Sequence, residues 1–308
     1  MVKMRKQNKI VFNATVLGAG HIKENKPCQD YSDSWQLKNS DAVILVVCDG
    51  HGGDVYVRSD VGSRLAGEIA LKCVKTIIQS KDLDWICGHK GAVASCDAEE
   101  CREQRIGIYE QNAVFHALFK TIYDRWEYAI GEDVKANPFT EQEKECLGDK
   151  GIVEAYGTTL MVYAQTRKYW LAFQIGDGRM LACDAEGDWK QIVPWDDDCF
   201  LNHTTSLCSP NSVSRFRYAF DGTASNPVSV FCCSDGVEDS YGDYDVAPEH
   251  LRNYFDSLAK VFVKEGKEVT LERLKVFLPK LSQAGSKDDM SIAGFVDTKV
   301  FGNIRSYE

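Results

Sequence analysis

A chain of 308 residues with 44% apolar content is long enough to bury one large core or two modest ones. Its formal net charge of -10 argues against nucleic acid or an anionic membrane surface as a partner. The basic start, Met1 to Lys9, runs into Ile10-Val11-Phe12-Asn13 with no sustained apolar stretch, so no signal peptide is expected. The longest apolar runs hold six or seven residues, too few to span a bilayer, and a cytoplasmic protein is expected.

Ile10 to Leu17 and Ala42 to Cys48 read as strands. From Val57 to Ile77, apolar residues at helical spacing (Val57, Val61, Leu65, Ile69, Cys73, Ile77) predict an amphipathic helix. Residues 81–104 break that pattern and read as an insertion. A second helix follows, with Phe115, Leu118, Phe119, Ile122, Trp126 and Ile130 on one side. The stretch 132–152 is polar, with a short helix expected around Glu141 to Cys146. The period then turns to β over Thr158 to Ala164, Tyr169 to Ile175 and Met180 to Cys183, and the short turns between them predict antiparallel hairpins. Residues 194–212 are irregular. Val213 to Phe220 and Val228 to Cys233 read as strands, Pro248 to Lys264 and Val269 to Gln283 as helices, and Met290 to Val296 as the last strand. Strands grouped between helix pairs predict an α+β protein, an antiparallel core covered by helices. With no repeat, low-complexity tract or Pro-rich linker, 1–308 reads as a single domain.

Twelve cysteines are many. Cys48, Cys183, Cys232 and Cys233 lie inside apolar runs, where a free thiol acts as a small hydrophobe. Cys87, His89, Cys96 and Cys101 could supply enough ligands for zinc. Their spacing matches no tight Cys-x-x-Cys knuckle, and reduced thiols on the insertion are the preferred reading.

Four apolar runs share a neighbour. Val43–Cys48 runs into Asp49-Gly50-His51-Gly52-Gly53, Tyr169–Ile175 into Gly176-Asp177-Gly178-Arg179, and Val228–Cys233 into Ser234-Asp235-Gly236-Val237, while Asp288-Asp289 precedes Met290–Phe295. One such Asp reads as a turn residue. Four at strand ends can converge from distant parts of a chain, and carboxylate oxygens suit Mg²⁺ or Mn²⁺.

In their order, these motifs together with Gly157-Thr158-Thr159 resemble those of the metal-dependent protein Ser/Thr phosphatases, the protein phosphatase 2C family. Gly20-His21-Ile22-Lys23 and Pro27-Cys28-Gln29-Asp30 are similar to the N-terminal motif of a bacterial branch. The resemblance runs from about residue 15 to 297. It implies a four-layer α/β/β/α sandwich, two antiparallel sheets flanked by helices, with metals in a cleft at one end. It implies hydrolysis of phosphoserine and phosphothreonine in proteins by a water bridging two Mn²⁺ or Mg²⁺ ions about 4 Å apart. A Ser/Thr kinase or its targets would be the phosphorylated partner.

By the same resemblance Asp49 is the bridging carboxylate and the Gly50 carbonyl a further ligand. Asp235 and Asp288 complete the first site, and Asp30 serves the second. Asp289 competes with Asp288, and the motif's order favours Asp288. Asp177 and Asp239 match positions of a third, weaker ion. His51, flanked by glycines directly after the first ligand, is the candidate general acid, since an imidazole pKa near 6.5 suits proton donation at neutral pH.

The chain also departs from the family pattern. Many relatives hold the substrate phosphate with an Arg before the first acidic motif. No Arg lies between Arg5 and Arg58, which leaves His21, Lys23 and Lys26 as the cations at hand. Gln29-Asp30 stands where many relatives carry Glu-Asp. Two other readings use the same fold: a catalytically weak pseudophosphatase acting as a signalling or scaffold protein, and a hydrolase of small phosphorylated metabolites. The retention of Asp49, Asp235 and Asp288 weighs against the first. Residues 195–222 are expected to form a flap over the cleft and, with the insertion at 81–104, to set selectivity.

Overall fold

A computed structural model describes residues 8–38, 40–93, 109–196, 199 and 204–305. Its two sheets are antiparallel throughout. One runs in the order β1 (Lys9–Val16), β11 (Met290–Asp297), β10 (Ser229–Cys233), β7 (Arg179–Cys183), β8 (Trp189–Gln191). The other runs β2 (Tyr31–Gln36), β3 (Val43–Cys48), β5 (Leu160–Gln165), β6 (Trp170–Ile175), β9 (Arg217–Asp221), β4 (Lys90–Val93).

Three apolar layers follow from strand alternation. Val43, Leu45 and Val47 point between the sheets, where they meet Met161, Tyr163, Val230 and Phe295. Ile44, Val46 and Cys48 point the other way, toward α2 (Ser59–Ser80) and α3 (Tyr109–Ala136). Phe12, Phe231 and Ile292 of the first sheet face α7 (Pro248–Glu265), α8 (Lys267–Ala284) and α9 (Thr298–Arg305). Helices therefore cover both outer faces, which gives the α/β/β/α sandwich. β3 is buried on both sides and so reads as an unbroken apolar run. Each fully buried aliphatic side chain in these layers contributes roughly 2 kcal/mol.

Shorter helices occupy the margins: α1 (Ala19–Glu24), α4 (Glu141–Leu147), α5 (Ser212–Arg215) and α6 (Asp235–Asp239). Thr140 caps α4, exchanging hydrogen bonds with Glu143 in a capping box. Arg58, just before α2, joins three elements there. It donates to Glu143 (2.7 Å), the Asn137 carbonyl (2.7 Å), the Tyr156 hydroxyl (3.0 Å) and Asp133 (3.3 Å), and its guanidinium lies 4.1 Å from the Phe139 ring centre.

Several sequence expectations need correction. β6 and β7 form no hairpin, because the Gly176–Gly178 turn carries the chain from one sheet to the other. Val213 to Phe220 divides into α5 and β9. Within the region 81–104, read as an insertion, β4 pairs with β9 as a sheet edge, and 94–104 lie outside the described residues. β2 went unpredicted because its Tyr-Ser-Asp-Ser-Trp-Gln sequence is largely polar. Its buried Ser32 meets Thr15 across the sheets at 2.7 Å, so hydroxyls fill the inter-sheet space at this end. The ten cysteines among the described residues are outside any disulfide. No helix among the described residues is long and apolar enough to cross a membrane.

Candidate metal centre

Strand register gathers the acidic residues at one end of the sandwich. Tyr31 pairs with Cys48, so Asp30 and Asp49 are the next residues outward on neighbouring strands. Cys233 pairs with Ile292 and with Arg179, which brings Ser234-Asp235, Asp288-Asp289 and the Asp177 turn to the same end. The Ser234 N–H donates to the Ser291 carbonyl at 3.0 Å, closing β10 against β11 where both strands stop. Asp239 lies one helical turn beyond Asp235 on α6.

Burial and crowding of carboxyls set the electrostatics. Asp49 and Asp235 stand close enough to act on each other's acidity. Burial, then the neighbouring Asp235 and Asp30, hold the Asp49 carboxyl well above the usual range. Asp235 is pushed up to about 7, mainly by burial. Asp30 is raised by burial and then by Asp289, against a lowering hydrogen bond from Ser234 Oγ at 2.8 Å. Asp239 is raised by burial, then by Asp177 and Asp288. Asp177 is raised by burial as well, with Thr204, Arg217 and Arg179 opposing.

The donor set fits hard divalent cations. Gln29 Oε1 is buried with no hydrogen-bond partner among the described residues, and it faces Gly52. At Gly50 a Cβ would lie 2.3 Å from the Gln29 carbonyl oxygen, so only glycine lets these two strand ends close together.

The Gly157-Thr158-Thr159 motif is the seat of Asp49. Thr159 N–H (2.8 Å) and Thr158 Oγ1 (2.9 Å) both donate to the Asp49 carbonyl, and the Asp49 N–H donates to Thr159 Oγ1 (2.9 Å). A Cβ on Gly157 would come within 2.7 Å of His51 Cδ2 and 2.6 Å of Tyr56. Glycine there leaves room for the His51 and Tyr56 rings, whose centres are 4.7 Å apart. Burial lowers the His51 pKa to about 4, below the ordinary imidazole value near 6.5.

Asp288 and Asp289 separate in role. Asp289 is buried and accepts from the Gly18 N–H (2.6 Å), the Gln29 N–H (2.6 Å) and His21 Nδ1 (2.9 Å). Sequence reasoning missed this grip, whose partners lie some 260 positions away. Asp288 is exposed and repels Asp30, Asp235 and Asp239 electrostatically. His21, Asp288 and Asp289 are the one group among the described residues with ligand atoms all within 4.8 Å of one another. His21 is thus taken up by Asp289. Lys23 is exposed on α1. Lys26 pairs with Glu24 at 2.7 Å and reaches toward the Gly52 carbonyl at 3.5 Å.

The two arginines at this end are both buried and occupied. Arg179 pairs with Glu238 at 2.6 Å beneath the Trp195 ring, and Arg217 donates to the Pro194 and Gly176 carbonyls. Of the cysteine–histidine group, Cys87 is half-buried and His89 exposed, while Cys96 and Cys101 lie outside the described residues.

A family model described as protein phosphatase 2C matches residues 17–278. No curated protein matches in sequence. Among solved structures, the serine/threonine phosphatase PstP/Ppp of Mycobacterium tuberculosis is similar with a TM-score of 0.51 at 13% identity, over 94% of this chain and 98% of that one. PppA of Pseudomonas aeruginosa, described as a key regulatory component of T6SS, is similar with a TM-score of 0.50 at 14% identity, over 94% and 97%. Stp1 of Staphylococcus aureus has a TM-score of 0.50 at 15% identity, over 93% and 94%. At these identities the likeness is one of fold.

Proposed function

The chain belongs to the protein phosphatase 2C family, and from that premise we propose that it is a cytoplasmic enzyme that removes phosphate from phosphoserine and phosphothreonine in proteins. A Ser/Thr kinase or its targets would be the substrates. The reading rests on one observation: strand register gathers Asp30, Asp49 and Asp235 at one end of the sandwich, where burial and neighbouring carboxylates hold all three carboxyls above the usual range. A site so short of positive charge holds its carboxylates ionised when a cation arrives.

Asp49, the Gly50 carbonyl, Asp235 and Asp288 would hold one ion, and Asp49 with Asp30 a second. Asp177 and Asp239 would hold a third more weakly. Two Mn²⁺ or Mg²⁺ ions held by these residues would lower the pKa of a water and offset the phosphoryl charge. His51 would donate to the departing Ser or Thr oxygen. Burial lowers its pKa, and a phosphate dianion beside the ring would oppose that by favouring the imidazolium. Lys26 would meet the phosphate as a point charge in place of the missing Arg.

The test is hydrolysis of an aryl phosphate and a phosphothreonine peptide with and without millimolar Mn²⁺, wild type beside Asp235→Asn. Metal-dependent turnover that disappears in the variant supports the proposal. Tight Mn²⁺ binding by calorimetry with no turnover of either substrate would replace it with the pseudophosphatase reading.

A further inference from the structure

Tyr56 stands between His51 and a second cleft. Its ring centre lies 4.7 Å from that of His51. Burial, then the nearby Cys208 and Glu154, raise the Tyr56 pKa, so the half-buried ring sits beside both of these residues as well. Cys208 and Glu154 line an open cleft of about 530 Å³, together with Tyr123 and Asp124 of α3, Val153 and Pro210. Both walls of the cleft hang from the strand end that seats Asp49. On one side the short turn Ile152–Tyr156 carries Glu154. Its Ala155 carbonyl accepts from the Arg58 N–H at 2.8 Å, and the next residue after it, Gly157, accepts from the His51 N–H at 3.2 Å. On the other side the Leu207 N–H (3.0 Å) and the Ser206 hydroxyl (3.1 Å) both donate to the Thr158 carbonyl, immediately before Cys208.

The charges in this cleft do not balance. On α3, Lys120 is held by Asp124 at 2.7 and 2.8 Å, so that pair cancels, and His116 is exposed to water. Glu154 is half-buried and has no ion-pair partner among the described residues. A half-buried carboxylate is screened less than an exposed one, and it attracts a cation that arrives already attached to a bound chain. Geometry supplies such a chain. If His51 donates to the departing Ser or Thr oxygen, the rest of that residue lies against His51 and Tyr56. An extended peptide advances about 3.4 Å per residue, so its next few residues reach past Tyr56 into the cleft. We propose that this cleft is the bed for the peptide flanking the phosphorylated residue, and that Glu154 selects a basic side chain there. This rests on the phosphatase reading and on the place of His51 within it.

The test is a set of phosphothreonine peptides in an alanine background, with Arg placed in turn at each neighbouring position and Glu as its counterpart. For each variant, kcat/KM on a peptide is divided by its turnover of an aryl phosphate, so damage to the metal centre cancels. On one side of the phosphothreonine, wild type should prefer Arg over Glu by about fivefold, through KM, and added salt should erode the preference. Glu154→Gln should abolish the preference, and Glu154→Lys should invert it. A wild type that distinguishes Arg from Glu at no position, or a preference that survives in Glu154→Lys, would overturn the assignment. So would turnover of the aryl phosphate with none of any peptide. If wild type binds Mn²⁺ yet hydrolyses neither class of substrate, the phosphatase reading fails. Fluorescence anisotropy of the labelled, uncleaved Arg and Glu peptides on wild type and Glu154→Lys then decides the cleft by the same ratio. If Glu154→Lys does not melt cooperatively, Glu154→Gln decides it.

Discussion

The Arg58 junction and the Asp49 cluster both shift carboxylates from their ordinary acidity, with opposite results. At the junction a guanidinium bonds Glu143 and Asp133 directly, and the Glu143 pKa falls to about 2. At the cluster Asp30, Asp49 and Asp235 face one another, and Asp235 rises to about 7. The residue types are similar, and the sign is set by the neighbour. A balanced group holds α2, α3 and α4 together; an unbalanced one is the group proposed to hold ions. The buried carboxylates worth testing for chemistry are those the fold leaves without a counter-charge.

The largest test removes one member of the unbalanced group. Asp235→Asn should reduce metal-dependent phosphatase turnover by about 10³-fold, roughly 4 kcal/mol of barrier, and raise the melting temperature of the metal-free protein. A lower metal-free melting temperature would break the contrast. At the balanced group, Arg58→Met should cost about 3 kcal/mol in urea unfolding, because it strands two carboxylates, and leave the Mn²⁺ isotherm unaltered.

Acidity sharpens the same contrast. Asp235 binds its proton more tightly folded than unfolded, so metal-free stability should fall as pH rises from about 4 to about 7. Over that range Mn²⁺ affinity should rise, with on the order of one proton released per ion, readable by calorimetry in buffers of different ionisation enthalpy. Glu143 behaves oppositely. Its folded pKa is depressed, so its contribution is full above about 4.5 and is lost as pH falls toward 2. The stability gap between wild type and Glu143→Gln should close over that interval in acid denaturation. The smallest effect is expected at Lys26, an exposed charge paired with Glu24: Lys26→Met should raise the phosphopeptide KM about threefold with kcat unchanged.

Strands were readable where composition announced them. β3, β10 and β11 are apolar and end at Asp or Gly, so the sequence already pointed to Asp49, Asp235 and Asp288. β2 was hidden because its inner neighbours are hydroxyls. The Asp289 grip and the Arg58 junction were hidden for another reason. Each joins residues tens to hundreds of positions apart, and neither periodicity nor spacing carries that information. The His51 shift was hidden too, since burial by Tyr56 and the Gly157 strand end is a tertiary fact.

β1 has a consequence in time. Its hydrogen-bonded neighbour is β11, in register from Lys9↔Asp297 to Val16↔Met290, and Asp289 holds Gly18 and Gln29 in place. During synthesis Asp30 and Asp49 therefore leave the ribosome about 240 residues ahead of the loop that completes their cluster, a wait on the order of tens of seconds. Until that loop arrives, the first strand has no partner and the acidic end has no Asp288. Under the proposed function a nascent chain would thus be silent toward phosphoproteins however much of it has folded, and competence would come with the closing of the last strand.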